Sequence, residues 1–211
     1  MRNHEVRYRS GLVVINEDQA TKMLDVANGI KSYCGERMRP IFYGDVCEAE
    51  KFLQKYANKK ADGLGKKFHF LDCSVDRFEM FDANIEGLES SYFFCVVDVT
   101  GLSEERVREF IPSLDDSQDR GFLCGVPKLN WLRVMTSHPK SCGMIVFKNV
   151  AMASGRLLSL IRDLIEGVWP FAYYNKFRGE WFLCGCDDCD RDGFKIDPRL
   201  KAVMQPFYYE K

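Results

Sequence analysis

Histidine is the scarcest chemistry-bearing residue of this chain, with only His4, His69 and His138 among 211 residues. Zinc centres and general-base mechanisms draw heavily on imidazole, so this scarcity excludes a histidine-rich metal site and leaves little room for a Cys–His pair. No apolar run approaches the roughly 18 residues that a membrane-spanning helix needs. The arginines at positions 2, 7 and 9 are followed only by the short run Leu12 to Ile15, too brief for the core of a signal peptide. Charge of one sign is also missing: 30 Lys and Arg face 31 Asp and Glu, a net charge of −1. A dedicated nucleic-acid binder needs a cationic surplus to neutralise phosphates, and this chain has none. Repeats, low-complexity tracts and coiled-coil heptads are absent. The expectation is an intracellular protein, cytoplasmic or nuclear, without a membrane segment.

Hydrophobic residues at 46% and charged residues at 29% are present in the proportions of a folded domain with a buried core. Aromatics make up 13% and must enter a core or an interface. Cysteine is plentiful, but nine is an odd count that rules out complete disulfide pairing within one chain. Reduced thiols are expected, as in a cytosol or nucleus.

Periodicity divides most of the chain into alternating strands and helices. Val6 to Ile15 reads as a strand or a hairpin pair broken at Ser10-Gly11. Asn16 with Gln19 forms a capping box for a helix carrying Ala20, Met23, Leu24, Ala27 and Ile30 on one face and ended by Cys34-Gly35. Ile41 to Tyr43 is a strand, and Asp45 with Glu48 opens a second helix whose stripe is Val46, Ala49, Phe52, Leu53 and Tyr56. Strands follow at Phe68 to Cys73, Tyr92 to Val99, Gly121 to Val126 and Met144 to Phe147. Ser103 to Phe110 and Lys128 to Met135 suit short helices, whereas Ser74 to Ser91 fits no single period. Ser154 caps a strongly amphipathic helix closed by Gly167. Pro170 to Tyr174 and Glu180 to Leu183 read as an antiparallel hairpin, and Leu200 to Met204 as a last helical turn. The fold class expected is α+β, or α/β, with helices packed on a mixed sheet and an antiparallel hairpin near the C-terminus. One globular domain over 1–211 is expected, with a division into two lobes near 112–120 as the alternative.

Three constellations carry chemistry. Cys184, Cys186 and Cys189 place three soft ligands within six residues, a spacing that closes around tetrahedral zinc if a fourth ligand arrives. Cys142 is the first candidate for that fourth position, with Cys34, Cys124, His138 or a nearby aspartate as others. A turn that merely holds three reduced thiols is the plain alternative. Second, Trp131 and Arg133, then Tyr173, Tyr174, Lys176, Phe177 and Arg178, interleave aromatics with cations, as partner-docking surfaces do, and Phe207-Tyr208-Tyr209 adds further aromatic surface. Third, Asp98 ends a buried strand, where open α/β sheets gather ligands, although an aspartate before Thr100-Gly101 also commonly opens a turn. Ala153-Ser154-Gly155-Arg156 follows a strand and opens a helix. It resembles the strand–loop–helix with which acyltransferases of the GNAT type hold a pyrophosphate, with one glycine where that family has several.

These readings lead to a non-enzymatic docking or regulatory protein for a protein or ribonucleoprotein partner, with zinc as the cofactor to test. The first alternative is a small-molecule enzyme using Asp98 and the Ser154-Gly155 turn. The second is a viral or phage accessory protein.

Overall fold

Alternating apolar runs and capped amphipathic helices resolve into a parallel sheet with helices on both faces. A computed structural model describes residues 6–9, 11–25, 39–72, 89–101, 142–166, 180–185 and 197–211. The strands are β1 (Tyr8–Arg9), β2 (Leu12–Ile15), β3 (Pro40–Gly44), β4 (Lys67–Asp72), β5 (Ser91–Asp98), β6 (Cys142–Lys148), β7 (Glu180–Cys184) and β8 (Gln205–Tyr209). The helices are α1 (Glu17–Asp25), α2 (Val46–Gly63), α3 (Gly155–Glu166) and α4 (Pro198–Lys201). All eight strands lie in one sheet in the order β1-β2-β8-β3-β7-β6-β5-β4. Every neighbouring pair is parallel except β1 with β2.

The mixed sheet expected from sequence is therefore present, and among the described strands its antiparallel pair is the N-terminal edge hairpin β1–β2. Strand β7 has parallel neighbours on both sides, β3 and β6. The partner strand expected at 170–174 lies outside the described residues, as do the lobe boundary at 112–120 and the elements expected over 103–110, 121–126 and 128–135.

Burial explains why β5 and β6 read as unbroken apolar runs. Parallel strands are covered on both faces, so alternation disappears. Phe94, Val96, Met144 and Val146 belong to the core on the face that carries α1 and α2, while Phe93, Cys95, Ile145 and Phe147 belong to the core on the face that carries α3 and α4. Helices α1 and α2 follow strands whose next strand lies one way along the sheet, and α3 and α4 follow strands whose next lies the other way. The helices change face when the direction reverses, as a constant crossover hand requires.

Helix α2 begins where β3 ends and finishes just before β4 starts, so it runs antiparallel to the strands beneath it. Its first turn therefore overlies the carboxyl edge of the sheet and its last turns the amino edge. Asp45 caps it, accepting a hydrogen bond from the Glu48 N–H at 3.0 Å. Asp45→Ala should cost about 1 kcal/mol in urea unfolding, and Asp45→Asn, which caps equally well, much less. Equal losses from both would show that charge, not the cap, matters there.

The aromatic tail is corrected by the structure. Tyr208 and Tyr209 are buried, because β8 inserts between β2 and β3 in the middle of the sheet. Pro206 is tolerated in this interior strand because the pairing with β2 begins only at Tyr208. Among the described residues, no helix is long and apolar enough to cross a membrane.

Candidate functional site at the carboxyl edge of the sheet

In a parallel sheet the carboxyl ends of all strands line up, so the polar residue that ends each apolar run joins a common edge. Strands β5 and β6 end in Asp98 and Lys148, which are register partners. Alternation puts both on the face covered by α2, next to Cys184 at the end of β7. Glu50, from the first turns of α2, reaches down to this row. Lys148 Nζ lies 3.1 Å from Glu50 Oε2 and 3.9 Å from Asp98 Oδ2, and these side chains are only 21–22% exposed.

Asp98 is held from three directions. Its Oδ1 accepts hydrogen bonds from the Thr100 N–H at 3.0 Å and the Thr100 hydroxyl at 2.7 Å. The Asn149 amide donates to both carboxylate oxygens at 3.1 Å. Asn149 reaches them because its backbone takes a left-handed conformation, φ 61°, a region asparagine tolerates better than most residues. Thus the turn after β5 and the turn after β6 are tied by one carboxylate.

Burial works to raise the Asp98 pKa, but the Thr100 and Asn149 hydrogen bonds and the Lys148 charge outweigh it and hold the group below its usual value. Burial likewise works to lower the Lys148 pKa, and is outweighed by the Glu50 hydrogen bond and the charges of Glu50, Asp98 and Asp72. Both groups are fixed in their ionised forms around neutral pH.

The topological switch lies one strand away, between β3 and β7, whose following helices pack on opposite faces. Here the backbone closes tightly. A Cβ on Gly44 (φ +107°) would lie 2.7 Å from the Tyr209 carbonyl oxygen, and one on Gly185 would overlap the Tyr43 ring. Gly185 N–H donates to the Phe42 carbonyl at 2.6 Å. The first turn of α2 carries Asp45 and Glu48, so its positive end is already neutralised by carboxylates and is hostile to phosphate.

At the start of α3, Ser154 Oγ accepts from the Leu157 N–H at 3.2 Å, an ordinary cap. The space beside Gly155 is filled by Arg199, whose guanidinium donates to the Gly155 carbonyl and, at 2.9 Å, to Ser159 Oγ. The glycine makes room for an arginine.

Of the four thiols expected to hold zinc, the structure describes Cys142 and Cys184, and it places these two apart. Cys184 is fully buried on the face covered by α2, and burial pushes its thiol pKa far up. Cys142 begins β6, two positions before Met144, the register partner of Glu180, while Cys184 lies four positions beyond Glu180. The two are thus separated by about 20 Å along the strands, at opposite edges of the sheet. Cys186 and Cys189 lie outside the described residues. Among the described residues, no group of three or more His, Cys, Asp or Glu side chains is arranged to hold a metal ion. The docking candidates Trp131, Arg133, Tyr173, Tyr174, Lys176, Phe177 and Arg178 also lie outside them, as do His138 and Cys124.

His69 is half-buried on β4, stacked on Phe93 at 5.5 Å, with Nε2 3.1 Å from Ser91 Oγ. Burial, and then the Lys67 charge, lower its pKa.

Of the carboxyl-edge cluster, sequence reasoning found Asp98 and missed Lys148, Asn149 and Glu50. A usable signal existed. Each apolar run (Phe68 to Leu71, Tyr92 to Val97, Met144 to Phe147) is followed at once by a charged residue, and parallel strands bring those residues to one edge.

Compared with protein-family models and with curated proteins, the chain matches none. Among solved structures it is similar to Cdc6p from Pyrobaculum aerophilum, with a TM-score of 0.44 and 14% identity over 98% of this chain and 47% of that chain. The chain thus spans about half the length of the structure it matches.

Proposed function

We propose that the chain is a ligand-binding α/β domain whose site is the carboxyl edge of β4 to β7, over Asp98, Lys148 and Glu50. The observation that carries this reading is a half-buried row of opposed charges at the strand ends, next to the switch between β3 and β7. The row supports binding over acid–base catalysis. A general acid or base needs a pKa near the working pH, whereas Asp98 is shifted down and Lys148 up. Three carboxylates, Asp72, Asp98 and Glu50, surround one ammonium, and the acidic start of α2 adjoins them. This charge balance favours a polar small molecule rich in hydroxyl or amine donors over a phosphate ester.

The aromatic and basic residues expected to dock a protein or ribonucleoprotein partner lie outside the described residues, and that reading stands beside the edge site as the second one to test. A thermal-shift panel of polyols, amines, nucleotides and acetyl-coenzyme A should give its largest shifts with donor-rich compounds. Lys148→Met should then weaken the best of them about tenfold or more in calorimetric titration. A ligand that binds wild type and Lys148→Met equally would place the site elsewhere.

A further inference from the structure

The antiparallel course of α2 brings a second group of reactive side chains together at the opposite edge of the sheet. Tyr92, the second residue of β5, and Cys142, the first of β6, are register partners on the α2 face. Lys60 lies on the last turns of α2, between Ala57 and Ala61, which are buried against the same part of the sheet. Register and helix position thus bring the three to the same end of the sheet, and a charge on Cys142 would act to raise the pKa of Lys60 and of Tyr92. Asp25, at the end of α1, also acts on Lys60 while accepting a hydrogen bond from Tyr56 at 2.8 Å.

The Tyr92 side chain is 2% exposed, and its hydroxyl is buried with no hydrogen-bond partner among the described residues. An unmade buried hydrogen bond is costly, which makes such a group in a folded protein a candidate for a role beyond packing. Cys142 and Lys60, in contrast, are both half-exposed and can be reached from solvent. The Cys142 thiol donates only a long contact, 3.5 Å, to the Ser91 carbonyl.

We propose that Cys142, Lys60 and Tyr92 form an acyl-accepting site at the amino edge of the sheet, where a thioester acylates Cys142 and the acyl group then passes to Lys60. In the first step the Cys142 sulfur attacks the thioester carbonyl and its proton passes to the Lys60 amine. The Tyr92 hydroxyl donates to the oxyanion of the tetrahedral intermediate. Collapse expels the donor's thiolate, which takes the proton back from Lys60 and leaves as a thiol. In the second step the neutral Lys60 amine attacks the new thioester on Cys142. An amide forms, and the Cys142 thiolate takes the proton lost by the nitrogen, so the thiol is regenerated. No oxidant or metal enters the balance.

The protonation states suit these roles. Burial, the main cause, lowers the Lys60 pKa to about 8, so a useful fraction of the amine is neutral near physiological pH. Burial, followed by the Cys142 charge, raises the Tyr92 pKa and keeps its hydroxyl a donor.

The test uses the full chain with acetyl-coenzyme A as the acyl donor and peptide mass spectrometry as the readout. Lys60 should acetylate about tenfold faster than the exposed neighbour Lys59, with hydroxylamine-labile acetyl on Cys142 appearing first. Cys142→Ser should reduce the Lys60 rate about fivefold or more and leave Lys59 unchanged. Tyr92→Phe, which only deletes an unpaired hydroxyl and should fold normally, should slow acetylation of Cys142 about tenfold. A Lys60 rate equal to that of Lys59, or one unmoved by Cys142→Ser, would overturn the proposal. So would full-rate acetylation of Cys142 in Tyr92→Phe.

Discussion

Replacing Gly143 by alanine should cost at least about 3 kcal/mol in urea unfolding, the high end for forcing one methyl group into a packed interior. Gly143 is the second residue of β6 and the register partner of Phe93 on β5. An added Cβ would overlap the Phe93 carbonyl oxygen and fall 3.0 Å from its backbone carbon and nitrogen. No rotamer change relieves a clash with backbone. Strand β5 cannot step aside, because Phe93 and Phe94 are locked in the cores on opposite faces and β4 closes its other side. The strands must part, and the ladder with them. Gly63→Ala supplies the control. Nothing lies within 4 Å of the Cβ it would add at the end of α2, so that change should be neutral or stabilising by up to about 1 kcal/mol. A Gly143→Ala protein within 1 kcal/mol of wild type would contradict the register of β5 against β6.

The elements that sequence displays best are those whose determinants are local. The box at Asn16 forms in both directions, with Asn16 N–H donating to Gln19 Oε1 and Gln19 N–H donating to Asn16 Oδ1, each at 3.0 Å. The box at Asp45 forms only by half, because the Glu48 carboxylate turns instead to Lys51 and Lys211. Those hydrogen bonds, Lys211 foremost, lower its pKa to about 2. One of the two lysines that draw Glu48 away, Lys211, lies 163 positions further along the chain, which no local window contains.

Strand β8 shows the same limit more sharply. Gln205 to Tyr209 carries a proline and three aromatics, a composition that reads as exposed tail. It becomes an interior strand only because β2 and β3 leave a gap between them, and that gap is a property of the whole sheet. The thiols repeat the lesson. Spacing of Cys184, Cys186 and Cys189 along the chain is silent on which way each sulfur faces, and the alternation of β7 turns Cys184 inward under α2. For Asp98 the turn-opening reading was legible, since its carboxylate accepts from the Thr100 N–H and hydroxyl just beyond the end of an apolar strand. Glu50 was not, because only the crossing of α2 over the sheet brings it to Lys148.

Asp98→Ala tests the edge site most directly, and should cost about 2 to 4 kcal/mol. The carboxylate accepts from a hydroxyl, a backbone N–H and an amide, and faces an ammonium, so its removal strands several donors at once. Lys148 is left facing only Glu50 at close range. Asp98→Asn keeps an acceptor for Thr100 but removes the charge, and should fall about midway. The dependence on pH separates charge from shape. The folded pKa of Asp98 lies below its ordinary value of 3.8, so its ionised form stabilises the fold fully at pH values above the unfolded pKa, about 3.9. That contribution is lost as pH falls through the lowered folded value. The stability gap between wild type and Asp98→Asn should therefore be flat from neutrality to about pH 5 and close progressively below about pH 4. Glu48 titrates in the same acid range, but it is common to both proteins and cancels in the difference. A gap that stays constant into strong acid would mean that Asp98 holds the two turns together by hydrogen-bond geometry alone. Its charge would then contribute nothing to the edge, and the case for opposed charges as the recognition element would rest on Lys148 and Glu50.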